Sequence, residues 1–403
     1  MYWMQHILLF FVAFLVGADE LLLGPILAPI GRDLSVRPET VTLFVTTYSL
    51  ANAACAFFFG ALSDRYGRAQ ILVASAIGFA MASVGTGLSQ DFETALFFRM
   101  LTGAASAGML PIAFAIAADQ GGDRAVRSIA FVQAGLTLGM ITSPGIGAFL
   151  TELFSWRVAF AGLGLAALPC SLLSFVVRSK RRTEPVSQRI DGAPLLVPGA
   201  AGALVAMGFG LGGGIGIFTM VGERTRDILG YGTGSVGLTY ALLGVISVAG
   251  NFLMPSIVAQ LGDGRRVMRI ALIVCLAMNV VVYAIADSSP WLLFIALPLW
   301  ALAGGIGSPA LMNYLAGLAH KRRGAVTALG MSIMHVGVAI SSGAAGLAYA
   351  SSSIWTAVFG MIVFGIAMIA LRPASVVDRQ VYTGPMSCSS APGSNSQGPR
   401  QIP

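Results

Sequence analysis

Two adjacent carboxylates and a distant arginine interrupt apolar stretches of the chain. Asp19 and Glu20 lie in the run 7–30, and Arg99 lies in the run 94–118. An ionised carboxylate buried without a partner is costly, so its pKa should rise toward the physiological range. Such a group can take up and release a proton, or attract a cationic or polar solute. We therefore expect Glu20, Asp19 and Arg99 to bind protons or substrate.

The helical period separates the two acids. Gly17, Glu20 and Gly24 occur at i, i+3 and i+7 and share one face, and Asp19 lies about 100° away on a leucine-rich side. Small residues line cavities or permit close packing, so we expect Glu20 to face a cavity. The alternative is that one acid only pairs with Arg99 while the other reaches the membrane interface.

The elements that must position these residues are membrane-spanning helices. The 403 residues are 56% hydrophobic and only 10% charged, with a mean hydropathy of +0.81, whereas soluble domains carry about 25% charged residues. A span needs roughly 20 apolar residues, and the first run is too long for a signal peptide. Spans are predicted at 7–30, 40–62, 69–88, 94–118, 128–151, 157–177, 194–220, 234–260, 268–286, 290–318, 325–350 and 354–371.

Three matches in order indicate an internal duplication. Asn52 precedes Asp64 by the same interval that separates Asn251 from Asp263. The other matches are RMLTGAASAG (99–108) with WALAGGIGSP (300–309), which pairs Gly103 with Gly304, and GMITSPGIGA (139–148) with GVAISSGAAG (337–346). A repeated unit of six spans keeps its orientation, and parallel halves are a transporter architecture.

We therefore expect an all-α integral membrane protein with twelve transmembrane helices in two pseudo-symmetric six-helix bundles. The bundles are predicted at 1–177 and 194–372, joined by a cytoplasmic central loop at 178–193. A Ser-, Gly- and Pro-rich cytoplasmic tail at 373–403 is expected to be disordered.

Loop charge predicts the orientation. Of the 24 basic residues, most lie in the loops after the even-numbered spans and in the tail, which places both termini in the cytoplasm and the protein in the inner membrane. This distribution argues against nucleic-acid binding. The four cysteines and three histidines have no ligand spacing, so we expect no metal and no cofactor.

The stretch GALSDRYGRAQ (60–70) resembles motif A of the major facilitator superfamily, G-x-L-x-D-R-x-G-R-[RK], although Ala69 replaces the last basic residue. The resemblance implies a gating role, a latch of the outward-open state, for Gly60, Asp64, Arg65, Gly67 and Arg68. The alternative is a plain positively charged cytoplasmic anchor.

Two further stretches resemble proton-coupled members of that family. R-x-x-T-G from Arg99 to Gly103 resembles motif B, which implies that Arg99 takes part in proton transfer; the alternative is a structural ion pair. VGADELLLGPILAPI (16–30) resembles the first span of the drug/sugar:proton antiporter branch, with Gly17 and Glu20 matching and Ala18 in place of a threonine.

Span 5 resembles the antiporter signature, motif C. Gly135, Gly139, Pro144 and Gly147 match G-x-x-x-G-P-x-x-G-G, and Ser143 and Ala148 replace glycines of that pattern. Small residues with a proline give a bendable, closely packed helix. An ordinary packing face is the alternative.

Three other polar residues of the spans are candidate cavity liners, namely Gln133, Asn313 and His335. His335 could titrate, although a lone histidine is more often structural.

The motifs together favour a monomeric secondary active transporter in the lipid bilayer that exports a small organic molecule (drug, sugar or metabolite) in exchange for protons. Proton-coupled uptake of a nutrient or metabolite is the alternative. A transporter-like sensor or scaffold is a third hypothesis. The sequence contains no nucleotide-binding or nucleophile motif, so we expect no enzymatic activity.

Overall fold

The computed structural model describes residues 2–120, 122–176, 199–318 and 323–372. The predicted central loop (178–193) and tail (373–403) lie outside these ranges. Helices account for nearly all of the described residues. We number twelve helical segments in chain order and keep one number where a break interrupts a segment: α1 (Tyr2–Leu21, continued by Gly24–Ile26 and Leu27–Asp33), α2 (Leu43–Tyr66), α3 (Arg68–Leu88), α4 (Phe92–Ala107 and Leu110–Ala118), α5 (Gly122–Leu153), α6 (Trp156–Val176), α7 (Ala200–Val205, Ala206–Gly212, Gly213–Phe218 and Val221–Leu229), α8 (Thr233–Leu261), α9 (Gly264–Val280 and Val281–Ile285), α10 (Leu293–Leu318), α11 (Arg323–Ser351) and α12 (Ser353–Ala370).

Each helical segment falls on one predicted span. Within the described ranges, ten segments are long and apolar enough to cross a membrane. The remaining two predicted spans correspond to α2 and to α6, whose apolar part Trp156–Ser171 is shorter. The all-α membrane architecture is confirmed, while the count of twelve spans and the bundle boundaries stay predictions.

Local chemistry explains where several segments begin and break. Asp91 caps α4 by accepting a 2.8 Å hydrogen bond from the backbone amide of Thr94, and this bond lowers the pKa of the Asp91 carboxyl. Asp263 caps α9 in the same way through the amide of Arg265. The glycine-rich stretch Ala206–Gly212 widens into a π-helix within α7.

The two halves repeat a close helix contact, which supports the duplication. A Cβ placed on Gly103 of α4 would overlap the carbonyl oxygen of Tyr48 of α2, and one on Gly305 of α10 would overlap the carbonyl oxygen of Ser247 of α8. The sequence comparison paired Gly103 with Gly304 instead. That pairing is off by one residue, because a Cβ on Gly304 would meet nothing within 4 Å.

The contacts between the halves lie toward one end of the molecule. We call this the gate end; it contains Leu27–Asp33 of α1 and Val221–Leu229 of α7. There α5 packs on α8 through Ile141 and Gly244, and Thr46 of α2 donates a 2.9 Å hydrogen bond to the carbonyl of Ala339 of α11.

The opposite end, the basic end, contains the start of α3 and the start of α9. At Gly60, near the basic end of α2, an added Cβ would meet nothing within 4 Å. The described hydrogen bonds between α2 and α11, from Thr46 to Ala339 and Ser342, lie at the gate end.

Candidate functional site

Asp19 and Arg99 form an ion pair inside the N-terminal half. The Nη1 of Arg99 is 2.6 Å from Oδ1 of Asp19, and the two side chains are 1% and 0% exposed. The sequence had separated them by 80 positions, and the contact between α1 and α4 brings them together. A pair this deeply buried persists because each charge neutralises the other.

Aromatic rings enclose the arginine on two sides. The guanidinium carbon of Arg99 lies 4.7 Å from the centroid of Tyr48 and 5.2 Å from that of Phe160. These cation–π contacts stabilise the charge where water is excluded. Two polar atoms of the pair, Asp19 Oδ2 and Arg99 Nε, have no hydrogen-bond partner among the described residues.

Glu20 faces a different partner from its neighbour Asp19. Its Oε1 lies 4.0 Å from Nε2 of His335 on α11, so this contact joins the two halves. The Glu20 side chain is 16% exposed, more than that of His335 at 8%. The Nδ1 atom of His335 is buried without a hydrogen-bond partner among the described residues. Glu20 and His335 therefore form a cross-half pair of ionisable groups.

The motif A residues lie at the basic end, away from this pair. Arg68 donates a 2.5 Å hydrogen bond to the carbonyl of Ala115 and pairs with Asp119, both at the end of α4. Gly67 adopts φ 101° between α2 and α3, a conformation that favours glycine. The side chain of Asp64 lies outside the described part of the structure. The structure thus adds Asp119, which the motif had not identified, as the partner of Arg68.

The motif C residues pack α5 against α1 and α8. Cβ atoms on Gly135 and Gly139 would overlap carbonyl oxygens of Phe10 and Phe14 on α1. The glycines therefore permit backbone-to-backbone contact.

Farther along α5, the backbone carbonyl of Pro144 faces α8 of the other half. The Pro144 carbonyl lies 3.0 Å from a Cβ placed on Gly237 of α8, and Gly147 contacts Leu22 of α1. The proline end of motif C therefore lies where α5 contacts the other half, and its first two glycines pack within the N-terminal half.

Among the contacts that the described residues make, none joins Gln133 or Asn313 to either ionisable pair. Gln133 is exposed and bonds weakly to Thr137, at 3.4 Å, on the face of α5 that continues to Ile141 and α8. Asn313 lines a cavity of ≈ 320 Å³ between α8, α9 and α10 at the basic end, beside Asp263 and Tyr314. Of the three candidate liners, His335 is the one that reaches Glu20.

The gate end holds charged residues that sequence reasoning had missed. Arg224 of α7 donates to the carbonyl of Val282 and, at 2.6 Å, to Asp287. This guanidinium lowers the pKa of the Asp287 carboxyl. On the same helix, Nε of Arg226 lies 3.4 Å from Oε1 of Glu223. The signal available in the sequence was the polar string GERTRD between two apolar runs.

The sequence profile described as Major Facilitator Superfamily matches residues 9–278. The chain belongs to this superfamily. Among its superfamily relatives, "Uncharacterized MFS-type transporter YceJ" of Bacillus subtilis is 24% identical over 94% of this chain and 99% of that protein. A "Chloramphenicol resistance protein" of Pseudomonas aeruginosa is 29% identical over 45% of this chain, which spans 47% of that relative's length.

Solved structures of superfamily transporters share the fold. A D-xylose-proton symporter superposes with a TM-score of 0.74 at 14% identity, covering 91% of this chain and 97% of the symporter. A bacterial homologue of the human lysosomal transporter Spinster, in an inward-facing and unoccupied conformation, gives 0.74 at 16% identity over 91% and 96% of the two chains. The protein is a multi-pass membrane transporter of the superfamily.

Proposed function

We propose that this transporter exports a small organic molecule in exchange for protons, and that Glu20 carries the exchanged proton. The observation that supports this most directly is the contact of Glu20 with His335 across the two halves. A group at the junction of two moving halves changes its surroundings when they move, and its proton affinity changes with them. That is the property a coupling residue needs.

Asp19 and Arg99 have a supporting role in this proposal. Their buried pair joins α1 to α4 and positions the turn of α1 that carries Glu20. Glu20 is the acid of the two that pairs with no arginine among the described residues, so it is available to substrate or to a proton. Bound substrate and bound proton then compete at Glu20, which couples export to proton entry.

The predicted orientation assigns the two ends of the molecule to the two sides of the membrane, and export is the direction that we propose. If the basic end is cytoplasmic, as the distribution of arginines indicates, the halves are joined at the outer side and the structure is an inward-facing form. Export then requires the gate end to open after substrate has entered from the cytoplasm. The chloramphenicol resistance relative supports export of a drug-like compound.

Proteoliposomes with an imposed pH gradient test the proposal, with chloramphenicol as the first probe and other small antibiotics after it. Wild-type protein should move a probe against the probe's own concentration gradient, driven by protons that move the other way. Glu20→Gln should move the probe only down its concentration gradient. Glu93→Gln, which neutralises an exposed acid on α4, is the matched control and should transport normally. Uphill transport by Glu20→Gln would refute the proton role of Glu20.

Everted vesicles separate export from uptake. An exported compound should accumulate inside them when their interior is acidified. Accumulation that needs an acidic exterior instead would favour proton-coupled uptake.

A further inference from the structure

The break in α1 leaves a backbone carbonyl without its helical donor. Pro25 and Pro29 are four residues apart, and in a helix the amide of residue 29 would donate to the carbonyl of residue 25. Pro29 has no N–H, so the Pro25 carbonyl must find another donor. Pro25 is buried, where an unpaired carbonyl would be costly.

Arg226, from the other half, supplies that donor. Its Nη2 donates to the Pro25 carbonyl, and its side chain is only 13% exposed. Glu223, one turn earlier on α7, lies near the amide of Ala28 and 3.4 Å from Arg226, measured from its Oε1 to Nε. One α7 helix therefore brings two charged side chains to the broken end of α1, and Arg226 satisfies the carbonyl that the break leaves free.

The surrounding contacts bring the two segments close enough for these bonds. A Cβ on Gly222 of α7 would overlap the carbonyl oxygen of Gly24, and one on Gly24 would lie 2.6 Å from Cζ of Tyr240 on α8. A side chain of the N-terminal half likewise binds the backbone of the C-terminal half. Glu152 of α5 accepts a 2.5 Å hydrogen bond from the amide of Gly234 at the start of α8. At the gate end, side chains of each half bind backbone groups of the other.

We propose that Arg226 is a positioning residue that holds the gate end closed by binding the carbonyl that Pro29 leaves free. The inference rests on the proposed alternating access, because opening the gate end separates α1 from α7 and removes this bond. The free carbonyl makes the bond selective: it offers Arg226 an acceptor that an unbroken helix would have used itself.

Arg224 provides a matched control on the same helix. It has the same charge and is 4% exposed, but both of its partners, Val282 and Asp287, belong to the C-terminal half. Loss of Arg224 therefore weakens contacts within one half, whereas loss of Arg226 weakens the contact between halves.

The test is a distance measurement by pulsed electron paramagnetic resonance. Spin labels at two exposed gate-end positions, Gln90→Cys and Ser288→Cys, report the separation of the halves in the full chain in nanodiscs, with the natural cysteines replaced by alanine. Arg226→Gln should raise the ratio of open to closed gate about tenfold, the size expected for one hydrogen bond to a charged group. Arg224→Gln should leave the ratio unchanged.

Pro29→Ala tests the inference without changing any charge. Alanine restores the amide that can donate to the Pro25 carbonyl, so this variant should shift the distances in the same direction as Arg226→Gln. The double variant should shift no further than Arg226→Gln alone, because both changes act on one bond.

Unchanged distances in Arg226→Gln, an equal shift in Arg224→Gln, or fully additive shifts in the double variant would each overturn the role of Arg226. The readout does not depend on proton coupling. A shifted distance in a protein that exports no probe would leave the role of Arg226 intact and count against the proposed export alone.

Discussion

Asp19 and Glu20 are neighbours in the chain, but they contact opposite halves of the molecule. Asp19 pairs with Arg99 of α4 within its own half, and Glu20 reaches His335 of α11 in the other. One turn of α1 thus carries a structural charge pair and a cross-half contact side by side. This arrangement assigns the two acids different roles, which different substitutions should separate.

Arg99→Gln should destabilise the protein strongly. It leaves the Asp19 carboxylate buried without its partner, which typically costs about 3–5 kcal/mol. The double variant Asp19→Asn/Arg99→Gln should recover much of that loss, because no uncompensated charge remains. Thermal unfolding in detergent measures both. A double variant that is no more stable than Arg99→Gln would show that the pair is not the source of the effect.

The glycines of α5 should tolerate no side chain where they meet α1. Gly139→Ala places a methyl group against the Phe14 carbonyl, and since a backbone cannot move as a side chain does, we expect a loss of about 1–3 kcal/mol. The matched control is Gly162→Ala on α6, where a Cβ meets nothing within 4 Å. The free energy of unfolding of Gly162→Ala should be unchanged or should rise by up to about 1 kcal/mol, because alanine has a higher helix propensity than glycine.

The yield of monodisperse protein and its unfolding temperature compare the two glycine variants. Equal behaviour of Gly139→Ala and Gly162→Ala would contradict the packing role assigned to the motif C glycines.

Much of the fold follows from composition and periodicity. Apolar runs of adequate length predicted every helical segment, and α10 begins and ends within a few residues of its predicted span 290–318. The breaks were harder to predict. The Gly24–Pro25 pair is visible in the sequence, but the run 7–30 was predicted as one span because apolar residues continue on both sides of that pair.

The site was predictable by residue type but not by partner. Asp19, Glu20 and Arg99 stand out because charge inside an apolar run is costly. Which acid meets Arg99 depends on the rotation of α1 against α4, and the His335 contact depends on how the halves dock. Neither is encoded in local spacing. Arg226 was missed for the same reason, since its acceptor is a backbone carbonyl of a distant segment.

The Asp287 carboxylate should make the gate end sensitive to acid. Its bond to Arg224 holds its folded-state pKa below the ordinary value of 3.8, so its contribution to stability is complete above about pH 4 and is lost as pH falls through the folded-state pKa. The side chain is 61% exposed, so the contribution should be below about 1 kcal/mol.

Unfolding of wild-type protein and Asp287→Asn at pH 7 and pH 3 measures this contribution. The difference between the two proteins should be largest at pH 7 and smaller at pH 3. A difference that grows toward low pH would mean that the folded-state pKa is raised, contrary to the geometry.

At the basic end, Arg68 should matter more than its acidic partner. Arg68 has two acceptors on α4, the Ala115 carbonyl and the partly exposed Asp119. Asp119→Asn removes only the charge of one acceptor, so we expect a loss of stability below about 1 kcal/mol. Arg68→Gln shortens the side chain and removes both bonds between the start of α3 and the end of α4, so its loss should be clearly larger. Unfolding in detergent compares the two variants, and an effect of Asp119→Asn equal to that of Arg68→Gln would show that the ion pair alone, and not the carbonyl bond, fastens α3 to α4.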